Sequence, residues 1–192
     1  RATHVSLRWS PLALLAWDLH VDRLAIDQVD VLRRPARSRS SRAHGPAHMP
    51  AIDIDHFRIH TLQLEPAAAG TLARLSVRGS LHYRSMSDAR ATLLARRTNG
   101  MGLYTLRLRT TPSTVDARVT LEEPADGPLQ HWLNLPGLGP LALEASIEGP
   151  PHAETLRLNA HAGKLLAKAH GTIDLGRRSA DLTYAITSPA MH

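Results

Sequence analysis

The stretch "IDIDHFRIHTLQLEP" (residues 52–66) carries an apolar spacing that belongs to neither a helix nor a flat strand. Its apolar residues come in pairs: Ile52 and Ile54, Phe57 and Ile59, Leu62 and Leu64. They stand two apart within a pair and three apart between pairs. The mean interval of about two and a half residues is well short of a helical period and longer than strict alternation. A slip of one residue after each pair is what a β-bulge inserts, and a bulge bends its strand and raises its twist. The spacing therefore predicts a strand that coils as it runs and holds its pairs on one concave apolar face. Asp53, Asp55, Arg58, His60 and Gln63 would point outward. A sandwich edge with two bulges would give the same pattern. A pentapeptide-repeat helix would need many more repeats than the three present.

The same rule recurs in "LHVDRLAIDQVDVLRRP" (19–35), with Leu19 and Val21, Leu24 and Ile26, Val29 and Val31. Shared spacing in two segments implies shared construction. Before it, "THVSLRW" (3–9) alternates as a strand does. In "SPLALLAW", Ser10 as N-cap and Pro11 at the first helical position predict a short helix near 11–17. Residues 33–50, "RRPARSRSSRAHGPAHMP", hold almost no large apolar side chains, and a mobile Arg/Ser/Pro loop is expected over 34–50. Beyond residue 66 the chain becomes a series of alternating runs, from "TLARLSVRGSLHYRS" (71–85) to "SADLTYAITS" (179–188). Most are parted by turn chemistry such as "RRTNGMG" and "EEPADGP". One interruption, "PLQHWLNLPGLGP" (128–140), reads as a helical turn and a Pro/Gly-rich crossing. The class is all-β: an elongated, strongly twisted antiparallel meander forming an open groove, with one short helix. Residues 1–192 read as a single fragment of a longer β-groove domain.

Hydrophobic residues make up 43% of the chain but aromatics only 4%, so any apolar interior is aliphatic. With no cysteine, disulfides, thiolate metal sites and thiol catalysis are excluded. The net charge of +6 raises anionic partners. Arg33, Arg34, Arg37, Arg39 and Arg42 in the basic loop could meet phosphates, yet no stacking aromatic accompanies them, so no nucleic acid is expected. No apolar run is long enough to span a bilayer. His44 and His48 have a metal-like spacing without evident partners. His152, His161 and His170 recur every nine residues, which predicts one histidine per strand on the wet face. Paired carboxylates occur at Asp53/Asp55 and Glu122/Glu123, and Asp53 and Asp55, with apolar residues interleaved, fall on the solvent side. No nucleophile elbow or phosphate loop is present. The expectation is a protein that is not an enzyme, with no catalytic residue, cofactor or metal.

"WSPLALLAWDLHVDRLAIDQVDVLRRP", then "IDIDHFRIHTLQLEP" with "GTLARLSVRGSL", resembles the N-terminal region of the TamB and AsmA-like family. "LPGLGPLALEASIEGP" and "LRLNAHAGKLLAKAHGTIDLGRRSADLTYAITSPAM" resemble the repeating hairpins that follow there. The Arg/Ser loop and the many histidines are departures from that pattern. The resemblance implies a periplasmic bridge-like protein of a Gram-negative bacterium, tied to the inner membrane by an anchor outside this chain. It also implies an outer-membrane partner of the Omp85 class, TamA, engaged through regions outside this chain. The implied body is a taco-like rolled sheet that carries phospholipid toward the outer membrane and supports outer-membrane protein assembly and secretion. A β-edge chaperone and a structural β-spacer are the rivals. The expected lining for acyl chains is Leu19, Val21, Leu24, Ile26, Ile52, Ile54, Phe57, Ile59, Leu62 and Leu64, extended by Leu75, Val77, Leu106, Leu108, Leu156 and Leu158.

Overall fold

In the computed structural model, residues 2–9, 18–33, 51–125, 127–132 and 137–188 are described. The helix expected near 11–17 and the loop expected over 34–50 lie outside them. Eleven strands form one sheet in chain order: β1 (Ala2–Trp9), β2 (Asp18–Val31), β3 (Ala51–Leu64), β4 (Ala73–Ser85), β5 (Asp88–Arg97), β6 (Leu103–Thr110), β7 (Val115–Glu123), β8 (Leu141–Gly149), β9 (Glu154–Ala162), β10 (Leu165–Asp174) and β11 (Ser179–Thr187). Among the described residues two short helices interrupt it, α1 (Pro66–Ala69) after β3 and α2 (Pro128–Trp132) after β7. The class is all-β, and the sheet is open because β1 and β11 have no common ladder.

The phase slips of β3 are bulges. Against β4, the register steps from Ile54↔Leu81 to Phe57↔Gly79 and from Ile59↔Val77 to Leu62↔Leu75, so β3 gains one residue at each step. A strand two residues longer than its neighbour over the same span must coil. The ring of Phe57 lies over Gly79 at the first slip. A Cβ on that glycine would meet the ring and the Thr92 carbonyl, so the close approach requires glycine.

One pairing departs from the expected antiparallel meander. β2 and β3 run parallel, with Leu19↔Ile52, Val21↔Ile54, Leu24↔Phe57, Ile26↔Ile59, Val29↔Leu62 and Val31↔Leu64 in step. The two strands carry their slips at the same places and can coil together without losing register. All other neighbours are antiparallel.

The helices follow from local chemistry. Pro66 opens α1, and Gly70, with φ of 72°, closes it by donating its N–H to the Pro66 carbonyl. Sequence reading missed α1 although "EPAAAG" carries both signals. α2 is the helical turn expected in 128–140. The histidine series is corrected at one place. His161 lies in β9 and His170 in β10, but His152 sits in the turn between β8 and β9 at φ 71°, where it pairs with Asp174 at 2.9 Å.

Candidate functional site: an uncovered apolar face

Antiparallel partners share a face, as do in-register parallel ones, so the ladder positions define rows that cross the sheet. One row runs Val21–Ile54–Leu81–Ala91–Leu108–Ala117–Ile147–Leu156–Gly171–Leu182. The next runs Leu24–Phe57–Gly79–Leu93–Leu106–Val119–Ala145–Leu158–Ala169–Tyr184, and a third joins Ile26, Ile59 and Val77 to Tyr104, Leu121 and Ile186. From β2 to β11, none of the three rows contains a charged residue. At about 4.8 Å per strand, nine steps make a track of about 43 Å.

All sixteen residues expected to line the groove fall on this face. Leu19 and Ile52 begin a further row with Tyr83, Leu62 pairs with Leu75, and Leu64 opposes Ala73. The reading left out Leu93, Val119, Leu143 and their kind, whose signal was the plain alternation of β5 to β10.

Two parts of this face differ in cover. Where the chain leaves β3 and β7, α1 and α2 meet above it, and the Trp132 indole N–H donates to the Ala68 carbonyl at 3.1 Å. Beneath them Leu75, Val77 and Ala95 are buried against Leu62, Leu64 and Tyr104. A cavity of about 160 Å³ remains between Leu62, Leu64, Leu75, Ala95, Tyr104, Pro128, Leu129 and Trp132. Elsewhere, among the described residues, no second layer packs on the rows. Leu81, Leu93, Leu106, Leu108, Leu156 and Leu158 stay half-buried, while Val119, Leu182, Tyr184 and Ile186 are exposed.

The cap is fastened by a buried carboxylate. Glu123, 5% exposed, accepts the Tyr104 hydroxyl at 2.9 Å and the N–H groups of Leu129 at 3.1 Å and Gln130 at 2.8 Å. Gln130 is 1% exposed and donates to the carbonyls of Pro124 and Gly139 at 3.0 and 2.9 Å. Burial, then the charge of Glu123 and the hydrogen bond to it, push the Tyr104 phenol far above its usual range. These residues hold the cap.

The opposite face is polar. His20, Asp53 and His82 share one row, with Asp53 3.6 Å from His20 and 3.3 Å from His82. His20 also contacts Asp22 at 3.0 Å. Burial lowers the His20 pKa, but the Asp22 hydrogen bond and the nearby carboxylates outweigh it and raise the value overall. His20, Asp22 and Asp55 bring ligand atoms within 4.8 Å of one another, the one such group among the described residues. Asp22 and Asp55 are exposed, so water competes for any cation there. The reading placed concavity on the apolar side. The polar side is hollowed as well, by a cleft of about 790 Å³ across β2 to β6.

No family model matches the chain, and no curated protein or solved structure matches it either.

Proposed function

We propose that the chain is a segment of a TamB- or AsmA-like protein of the Gram-negative periplasm, anchored in the inner membrane, whose apolar face conducts phospholipid toward the outer membrane and so supports outer-membrane protein assembly and secretion. The observation that carries this reading is the set of three unbroken apolar rows, which the described residues leave uncovered for most of their length. Each acyl CH₂ exposed to water costs about 0.8 kcal/mol, so a lipid crossing an aqueous gap faces a barrier on the order of 20 kcal/mol. A continuous aliphatic track lowers that barrier with no reaction and no specific pocket. The uninterrupted rows, their Leu, Ile, Val and Ala make-up, and the absence of charge on them fit this task. Engagement of a TamA-like Omp85 partner belongs, on this reading, to regions outside the chain.

A second reading has its own observation. β11 is exposed at every position, with Tyr184 at 75% and Ile186 at 65%, and an open edge can pair with a nascent strand. Lipid extraction and mass spectrometry on the purified parent protein separates the two, comparing it with Leu93→Asp and Leu106→Asp. The conduit reading expects copurifying phospholipid that both substitutions remove while the β circular-dichroism signal persists. Absence of lipid from the parent protein rejects the conduit. Strand capture that survives both charges then favours the edge, and global unfolding by either charge favours a dry spacer.

A further inference from the structure

The polar face of β4, β5 and β6 carries Arg74, Arg78, Arg90, Arg96, Arg107 and Arg109, with Asp88 at the start of β5 as its one carboxylate. The register of these three strands sets arginine directly against arginine three times: Arg58↔Arg78, Arg90↔Arg109 and Arg107↔Arg118. Like charges directly opposite destabilise a sheet, and a face kept only for solubility mixes its signs. The neighbouring strands do mix them. Asp116, Glu122, Glu144 and Glu148 share the polar face of β7 and β8 with Arg118, which pairs with Glu148 at 3.0 Å. Among the described residues, none of Arg23, Arg58, Arg78 and Arg107 has a carboxylate within ion-pair distance. All four line the 790 Å³ cleft, with His56 and His60 beside them and Asp55 as its one carboxylate. The cleft lies where the first slip of β3 re-aims the strand, at Asp55 and His56.

We propose that this cleft is a phosphate-binding site, taking an oxyanion of at least two charges held between the opposed Arg58 and Arg78 and by Arg107. Guanidinium forks match phosphate geometry, and an anion between two arginines turns a repulsive pair into an attractive one. Phe57, the one Phe, Tyr or Trp among the lining residues, has its ring over Gly79 in the apolar row, and the lack of a second such ring to stack a base favours a phosphorylated headgroup or a free phosphate over nucleic acid. The site lies on the opposite face from the apolar rows and does not rest on the conduit reading.

The test uses the whole chain and two probes: inorganic pyrophosphate by calorimetry, and phosphatidylcholine vesicles with and without phosphatidylglycerol by flotation. Arg58→Gln/Arg78→Gln/Arg107→Gln is compared with Arg157→Gln/Lys164→Gln/Lys168→Gln, which removes equal charge from β9 and β10 and their turn. At roughly five-fold per arginine, the first triple variant should bind about a hundredfold more weakly, and the second should change little. Pyrophosphate binding marks a soluble phosphate as the source, and binding only to phosphatidylglycerol vesicles marks a lipid headgroup. Equal losses in the two triple variants would overturn the site in favour of diffuse charge. Failure of both probes would overturn it outright, as would capture of an oligonucleotide with neither probe bound. Because the arginine variants leave the apolar face untouched, copurifying lipid reports on the conduit separately.

Discussion

The capped and open parts of the apolar face are built from the same kind of row, yet they have different fates. Under α1 and α2, Leu75 and Val77 are 5% and 7% exposed, and Glu123 ties the cap to the sheet. Farther along β6 from Tyr104, Leu106 and Leu108 stay half-buried, with no second layer over them among the described residues. The difference teaches that this sheet's stability and its candidate function draw on different residues. The capped end supplies a dry core, and the open rows supply surface.

The largest break in that comparison is Leu75→Ala, expected to cost about 2–5 kcal/mol through lost burial and a cavity. Leu108→Ala should cost under about 1 kcal/mol, because its side chain is already partly wet. Urea unfolding of both variants checks the pair, and equal costs would show that the open rows are packed after all. Next comes Glu123→Ala, which strips one hydroxyl and two backbone donors of their acceptor. About 3 kcal/mol is expected, with loss of the Trp132 environment seen by fluorescence. Tyr104→Phe removes one hydrogen bond and about 1 kcal/mol. It also carries a sign. The Tyr104 pKa is raised in the folded protein, so its contribution is complete below the unfolded tyrosine value near pH 10 and falls as the pH rises above it. The parent protein should therefore lose stability above about pH 10 more steeply than Tyr104→Phe.

The smallest effect is local. The Arg177 N–H, 2.8 Å away, and then His152 hold the Asp174 carboxyl below its ordinary value. A lowered carboxylate pKa stabilises above the unfolded value and ceases to do so as pH falls through the folded one. Protection of the Arg177 amide from hydrogen exchange should thus persist through the ordinary carboxylate range and fade only at a pH beneath it. In Asp174→Asn it should be weak at every pH.

Much of this architecture was legible because alternation is a local signal. The runs at 88–97, 102–110 and 153–162 each became a strand within one residue of their bounds. The slips of β3 fell where the paired spacing put them. Strand direction was harder, because the spacing 2-3-2-3-2 reads identically from either end and fits parallel and antiparallel partners equally. The overlooked signal was connection length. Residues 32–50 number 19, far more than a hairpin needs and enough to return along a strand of 14 residues. The cap was illegible for another reason. Trp132 and Ala68 meet only because the sheet brings residues 64 positions apart together, and Tyr104 and Glu123 meet only because β6 pairs with β7. The Arg–Arg oppositions hid in the same way, since pairing rather than spacing creates them.

The central claim is that the open rows meet acyl chains. The most direct measurement places a photoreactive amino acid at Leu158, on an open row, and separately at Asn159, its neighbour on the polar face. After irradiation in the full-length parent protein in cells, the adducts are identified by mass spectrometry. The account predicts phospholipid adducts at Leu158 and none at Asn159. Adducts at Leu158 made only with the protein's own chain would contradict it, because the rows would then be a closed interior.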